Sequence, residues 1–180
     1  MSWIEVEAKI PLKEKDILNV KKRIKEIAKF VKREEKKDDY YTLEYFHYPE
    51  KSLRVRNKGK VREVNFKKRI SFKKGIYAKK EVQFEISDIK GFFELINDFG
   101  FRKWLNKEKV TELYRTKTGV NIEFNHVKKL GWFLELEVLC PLKDVNTARE
   151  KIVDVRDKLG FSEKDCESRG YTKQLWNSAH

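Results

Sequence analysis

Apolar and charged residues alternate at the start of the chain. Val6, Ala8 and Ile10 fall on one side, and Glu5, Glu7 and Lys9 on the other. A period of two over this length predicts a half-buried strand across residues 3–10, which Pro11 ends. The period then lengthens. Ile17, Val20, Ile24, Ile27, Ala28 and Val31 recur at helical spacing and predict an amphipathic helix over about 16–33 with a strongly basic outer face. An aromatic strand is expected at 40–48. Alternation resumes where Leu53 and Val55 interleave with Arg54 and Arg56, and Lys58-Gly59-Lys60 reads as a hairpin turn before strands at 61–70 and 79–86.

A second helix should start at the cap Ser87-Asp88, with Ile89, Phe92, Phe93, Ile96 and Phe99 as its core-facing stripe. Strands are expected near 107–117, 120–127 and 132–139. A third helix follows over 145–159, ending at Gly160, and a short one over 170–176. The pattern repeats. Three times an alternating acidic strand leads to a helix that opens on Asp16, Asp88 or Asp144, and two of these helices end in Gly-Phe. With no linker-like stretch, this reads as one α+β domain over 1–176 and a tail at 177–180. About eight strands form a sheet large enough to close or nearly close.

Amphipathic helices need apolar partners, so they should cover the apolar strand faces. The charged faces then point to solvent or into a water-filled cavity. Their composition favours the cavity. Glu5 with Glu7, and Glu135 with Glu137, are like charges two residues apart in a strand, which repel unless a cation offsets them. A hard divalent ion, Mg²⁺ or Mn²⁺, prefers such oxygen ligands. Arg54, Arg56, Lys67 and Lys109 on other strands suit phosphate oxygens.

The chain of 180 residues carries a formal charge of +13, which attracts polyanions without choosing among them. Cys140 and Cys166 have no metal-ligand spacing and read as reduced thiols, with a single disulfide as the alternative. The N-terminus lacks an apolar leader, so a soluble, cytoplasmic protein is expected, with no membrane partner. His47 and His126 lack a second ligand, and His180 belongs to the tail. The basic run across 21–37 reads as a solvated face. No phosphate-binding glycine loop or nucleophile elbow occurs.

Several segments resemble the CYTH family, also called triphosphate tunnel metalloenzymes. Glu5-Val6-Glu7-Ala8-Lys9 matches its N-terminal ExExK strand, and Asp38-Asp39-Tyr40-Tyr41 its DxY[FY] strand. Leu53-Arg54-Val55-Arg56 is similar to LRxR, and Phe66-Lys67 to the following lysine strand. Lys80-Glu81 through Glu85 resembles the basic-acidic strand before the middle helix. The segment from Leu130 to Glu137 resembles LGxFxExE, and Tyr171 stands in the closing SY motif.

The resemblance implies an eight-stranded antiparallel β-barrel tunnel with flanking helices. It implies metal ligands at Glu5, Glu7, Glu135 and Glu137, supplemented by Glu123, and triphosphate contacts at Lys9, Arg54, Arg56, Lys67 and Lys109. Lys9 or Tyr40 would assist proton transfer. The implied enzyme either cyclises ATP to cyclic AMP and pyrophosphate or hydrolyses thiamine triphosphate or tripolyphosphate. The alternatives are a non-catalytic polyphosphate-binding module and, ranked last, a basic nucleic-acid-binding domain. Two positions depart from the family pattern and remove charge: Asn125 stands where an aspartate is usual, and Thr111 where an arginine is.

Overall fold

The computed structural model describes residues 2–179. The described residues form eight strands, β1 (Ser2–Leu12), β2 (Ala28–Thr42), β3 (Leu53–Lys58), β4 (Val61–Lys73), β5 (Ile76–Ile86), β6 (Arg102–Thr116), β7 (Asn121–Val127) and β8 (Gly131–Cys140), and four helices, which follow β1, β5 and β8. These are α1 (Ile17–Ile27), α2 (Ile89–Asp98), α3 (Val145–Lys158) and α4 (Tyr171–Ala179). The strands close into one antiparallel barrel in the order β1-β5-β4-β3-β2-β6-β7-β8, so the expected α+β barrel fold is the observed one. Closure removes the exposed strand edges that an open sheet would leave.

The apolar core lies outside the barrel wall. Val6, Ala8 and Ile10 of β1, Ile76 and Ala78 of β5, Ile122 and Phe124 of β7, and Leu134 and Leu136 of β8 all face outward and are buried. Val20 and Ile24 of α1, with Ala148, Ile152 and Val155 of α3, cover them. Each buried aliphatic side chain contributes about 1.5–3 kcal/mol. With that energy supplied on the outer face, the alternate residues of the same strands are left to line the interior.

Helix α2 starts on the Asp88 carboxylate, which accepts a hydrogen bond from the Gly91 amide at 2.9 Å. It ends in a Schellman turn: Phe101 N–H donates to Ile96 O at 2.9 Å around Gly100, whose φ is +86°. Helix α3 ends the same way, with Phe161 N–H donating to Arg156 O at 3.1 Å around Gly160.

Five expectations need correction. The first strand does not end at Pro11 but runs on to Leu12, with Pro11 in register with Phe133 of β8. The first helix stops at Ile27 rather than Arg33, and β2 begins at Ala28 because residues 28–42 pair along β6. Ala28 and Val31 keep the helical spacing, but pairing along β6 overrides it, with a register shift at Val31 between Phe30 and Lys32. The aromatic strand ends at Thr42, whose hydroxyl donates to Lys51 O at 2.8 Å and ties off the loop that holds Leu43–Tyr48. Phe99, expected in the core, is 71% exposed because it sits at the helix cap where the chain turns away. The last helix runs on to Ala179, three residues past the expected boundary. His180 lies outside the described residues. Among the described residues no helix is long and apolar enough to cross a membrane.

Candidate active site

Because side chains alternate across a strand, each strand that buries apolar residues outward turns its polar set inward. The result is a cavity of about 600 Å³ in the barrel, lined by nine Lys or Arg and eight Glu among the described residues. All eleven expected site residues reach it: Glu5, Glu7 and Lys9 from β1, Tyr40 from β2, Arg54 and Arg56 from β3, Lys67 from β4, Lys109 from β6, Glu123 from β7, and Glu135 and Glu137 from β8. His47 and His126 do not line it; His126 is exposed and stacks on Trp132 at 4.6 Å.

Acids and bases are interleaved rather than set on opposite walls. Lys9 lies 3.5 Å from Glu7 and 3.6 Å from Glu135, with the Tyr171 ring 4.1 Å beneath its ammonium. Lys109 donates to Glu123 at 2.7 Å and to Glu135 at 3.1 Å. Lys79 donates to Glu7 at 3.1 Å, and Lys67 pairs with Glu5. Arg54 donates to Glu63 at 2.8 Å. Arg56 forms a two-pronged pair with Asp38, at 2.6 and 2.9 Å, so two of its donors are already engaged.

Burial and these neighbours sort the carboxylates. Burial pushes Glu5 up to about 8, with Lys67 opposing and Glu7 adding to the rise. Burial, reinforced by Glu123, pushes Glu137 up to about 7 against the pull of Lys67. Burial also works against Glu7 and Glu123, but lysines prevail: Lys79 and Lys9 hold Glu7 well below the usual range, and Lys109 and Lys36 do the same for Glu123. Lys79 and Lys109 are correspondingly held more firmly protonated, against the effect of burial, by Glu7 and Glu5 and by Glu123 and Glu135.

The donors suit a hard divalent cation. They are all carboxylate oxygens, and Glu5 Oε1 is buried without a hydrogen-bond partner. Register also sets like charges opposite one another, Glu7 against Glu137 and Glu123 against Glu135, which repel unless offset. Among the described residues no three metal-ligating side chains already converge on one point.

The sequence reading missed several members. Lys36 shares the inward face of β2 with Tyr40, and Lys107 that of β6 with Lys109, so the two-residue period could have found both. Asp38, completely buried between Arg56 and Lys107, stood inside a quoted motif without an assigned role. Tyr171, from the start of α4, packs edge-on against Phe133 at 5.0 Å and closes one side of the lysine cluster. Only its place in the closing motif pointed to it.

A family model, the CYTH domain, matches residues 3–171. A solved structure from Pyrococcus horikoshii OT3 is 30% identical and has a TM-score of 0.75 to this chain, covering 94% of it and 98% of the other. A candidate adenylate cyclase from Vibrio parahaemolyticus is 18% identical, with a TM-score of 0.71 and coverage of 96% and 98%. A candidate adenylyl cyclase from Hippeastrum, with a dominant triphosphatase activity, is 11% identical, with a TM-score of 0.67 and coverage of 98% and 96%. Comparison with curated proteins found no match. With the family model spanning nearly the whole chain and the barrel carrying its polar residues inward, the chain belongs to the CYTH family.

Proposed function

We propose that the chain is a divalent-cation-dependent enzyme acting on a triphosphate compound, and that its reaction is hydrolysis. The observation that carries this reading is the cavity wall, with nine cationic and eight acidic side chains around about 600 Å³. Such a wall is close to neutral in formal charge, so a bare polyphosphate meets carboxylates as well as ammoniums. A cation that arrives with it offsets the carboxylates. Relatives named for adenylate cyclase and triphosphatase activity support the same substrate class.

Lys9, Lys79, Lys109 and Arg54 would exchange carboxylate partners for phosphate oxygens, which charge-assisted hydrogen bonds favour. Mg²⁺ or Mn²⁺, held by carboxylates among Glu5, Glu7, Glu123, Glu135 and Glu137, would polarise the phosphoryl oxygens. Water attacks the terminal phosphorus, the bond to the bridging oxygen breaks, and the released proton leaves with phosphate or solvent. Lys9 would neutralise charge on the leaving oxygen. Tyr40, on the same lining with its ring 5.6 Å from the Lys107 ammonium, is placed beside that charge. Cyclisation needs, in addition, a pocket that bends a ribose hydroxyl onto the α-phosphorus. The lining is charged along most of its extent and has few apolar members, which supports hydrolysis.

The test is to incubate the protein with Mg²⁺ or Mn²⁺ and, separately, tripolyphosphate, thiamine triphosphate and ATP, resolving all products. Orthophosphate release supports the proposal, whereas cyclic AMP with pyrophosphate replaces it with the cyclase reading. Tripolyphosphate binding without any product leaves a binding module.

A further inference from the structure

The carboxylates of the tunnel differ in how fully they are already held. On the wall made by β6, β7 and β8, Glu123 accepts hydrogen bonds from Lys36 and Lys109, each at 2.7 Å. Glu135 Oε2 accepts from Lys109 at 3.1 Å and from Asn125 Nδ2 at 2.8 Å, and its other oxygen lies 3.6 Å from Lys9.

The Asn125 amide has one workable orientation. Thr111 Oγ1 donates to Asn125 Oδ1 at 2.7 Å, which leaves the Nδ2 hydrogens for Glu135. A flipped amide would set its oxygen against the carboxylate. Thr111 and Asn125 are both fully buried, so water cannot take over either bond.

The wall made by β1 and β8 is different. Glu5 is 2% exposed, Lys67 holds its Oε2, and its Oε1 accepts no hydrogen bond, with the Lys79 ammonium 3.7 Å away. Glu137 faces Glu7 across the strands and has Glu5 as its diagonal neighbour. Among the described residues Glu137 has no hydrogen-bond partner and no ion-pair partner.

We propose that this tunnel takes a single divalent cation, between Glu5 and Glu137, and that the Thr111–Asn125 pair keeps Glu135 from taking a second. A cation at Glu123 and Glu135 must displace Lys36 and Lys109, and it meets the hydrogens of the Asn125 amide, which already donates to Glu135. A cation at Glu5 and Glu137 finds a buried oxygen that accepts no hydrogen bond, with only the Lys79 ammonium 3.7 Å away, and a carboxylate without an ion-pair partner among the described residues. With so few protein ligands, phosphate oxygens and water complete its shell, as is usual for Mg²⁺. This inference rests on the metal-dependent reading of the site and narrows it to one ion and two residues. Asn125 acts here as a positioning residue, through Glu135.

The experiment counts bound Mn²⁺ on the full chain from the loss of the free-ion electron paramagnetic resonance signal, with turnover of tripolyphosphate assayed in parallel. The expected count is one. Glu137→Gln is expected to weaken binding roughly tenfold or more, the scale on which ligand charge tunes such sites, and Glu135→Gln to leave it within about twofold. Asn125→Asp, nearly isosteric, frees Glu135 and adds a carboxylate, and is expected to raise the count to two.

A count of two or of none in the unaltered protein overturns the proposal. So does loss of the ion in Glu135→Gln with retention in Glu137→Gln. These readings stand even if Asn125→Asp fails to fold. One bound Mn²⁺ without turnover supports the cation assignment and removes the hydrolase. Turnover with two bound ions does the reverse.

Discussion

Arg56 holds Asp38 from two directions, Nε donating to one carboxylate oxygen at 2.6 Å and Nη2 to the other at 2.9 Å, across the β2–β3 pairing. Lys107 approaches the second oxygen at 3.0 Å, and Asp38 is completely buried. Lys107 and Arg56 therefore hold its carboxyl far below the usual range in spite of burial. Asp38 thus joins β2, β3 and β6 by charge inside a barrel whose lining is mostly charged.

Removing Asp38 leaves two cations buried without their partner. Asp38→Ala is expected to cost about 3–5 kcal/mol, the range for breaking a buried pair. For a domain of this size that is a fall in Tm of roughly 10 °C, read by circular dichroism. A fall under about 2 °C would mean that water or a neighbouring acid replaces the carboxylate.

Lys109 stands between Glu123 and Glu135 and is a proposed phosphate contact. Lys109→Met keeps the length and removes the charge. Loss of one charge-assisted hydrogen bond, about 1.5–3 kcal/mol, predicts tripolyphosphate binding weaker by roughly 10- to 100-fold, measured by calorimetry. Unchanged affinity in a folded variant would take Lys109 out of the binding surface.

The pH dependence of stability is expected to have two limbs in metal-free protein. Between the ordinary carboxylate value of 4.5 and about 8, the folded state keeps a proton on Glu5 that the unfolded chain releases, so stability falls as pH rises through that window. Glu137, pushed up to about 7, adds to this limb in the same sense, so Glu5→Gln should make it shallower and the double substitution with Glu137→Gln should flatten it. Below the window, Asp38, Glu7 and Glu123 act in the opposite sense: their folded values are depressed, and their stabilisation is lost as pH falls. Thermal melts across pH, with and without the substitution, check both limbs.

Gly75 turns the chain from β4 to β5 at φ +77°, and a Cβ there would come within 2.6 Å of Cys166 Cβ. Gly75→Ala meets both the left-handed backbone cost, about 1–2 kcal/mol, and that clash. It is expected to lower Tm by at least about 2–4 °C. A neutral result would show that the segment carrying Cys166 gives way freely. Both cysteines are free thiols, so no covalent link holds it.

Much of the site could be read in one dimension because a strand sends alternate side chains to opposite faces. Glu5-Val6-Glu7-Ala8-Lys9 and Leu134 through Glu137 declare which residues share a face, and all of the named charged ones reach the cavity. What was missed has a common cause. α1 ends short of its expected boundary because Ala28 and Val31 keep the helical spacing while the pairing of β2 with β6 overrides it. Lys36, Asp38 and Lys107 look like ordinary surface charges until their strands are neighbours.

The sequence by itself determined the alternation, the Asp88 cap of α2, the Gly-Phe stops of α2 and α3, and the inward face of the strands it placed, because these depend on contacts within a few residues. The tertiary structure alone decided that the sheet closes and which carboxylate each lysine holds. It also decided that Asn125 bridges Thr111 and Glu135 while one oxygen of Glu5 accepts no hydrogen bond. Those matches join residues far apart in the chain. They follow from strand order and register, which local pattern constrains but does not encode.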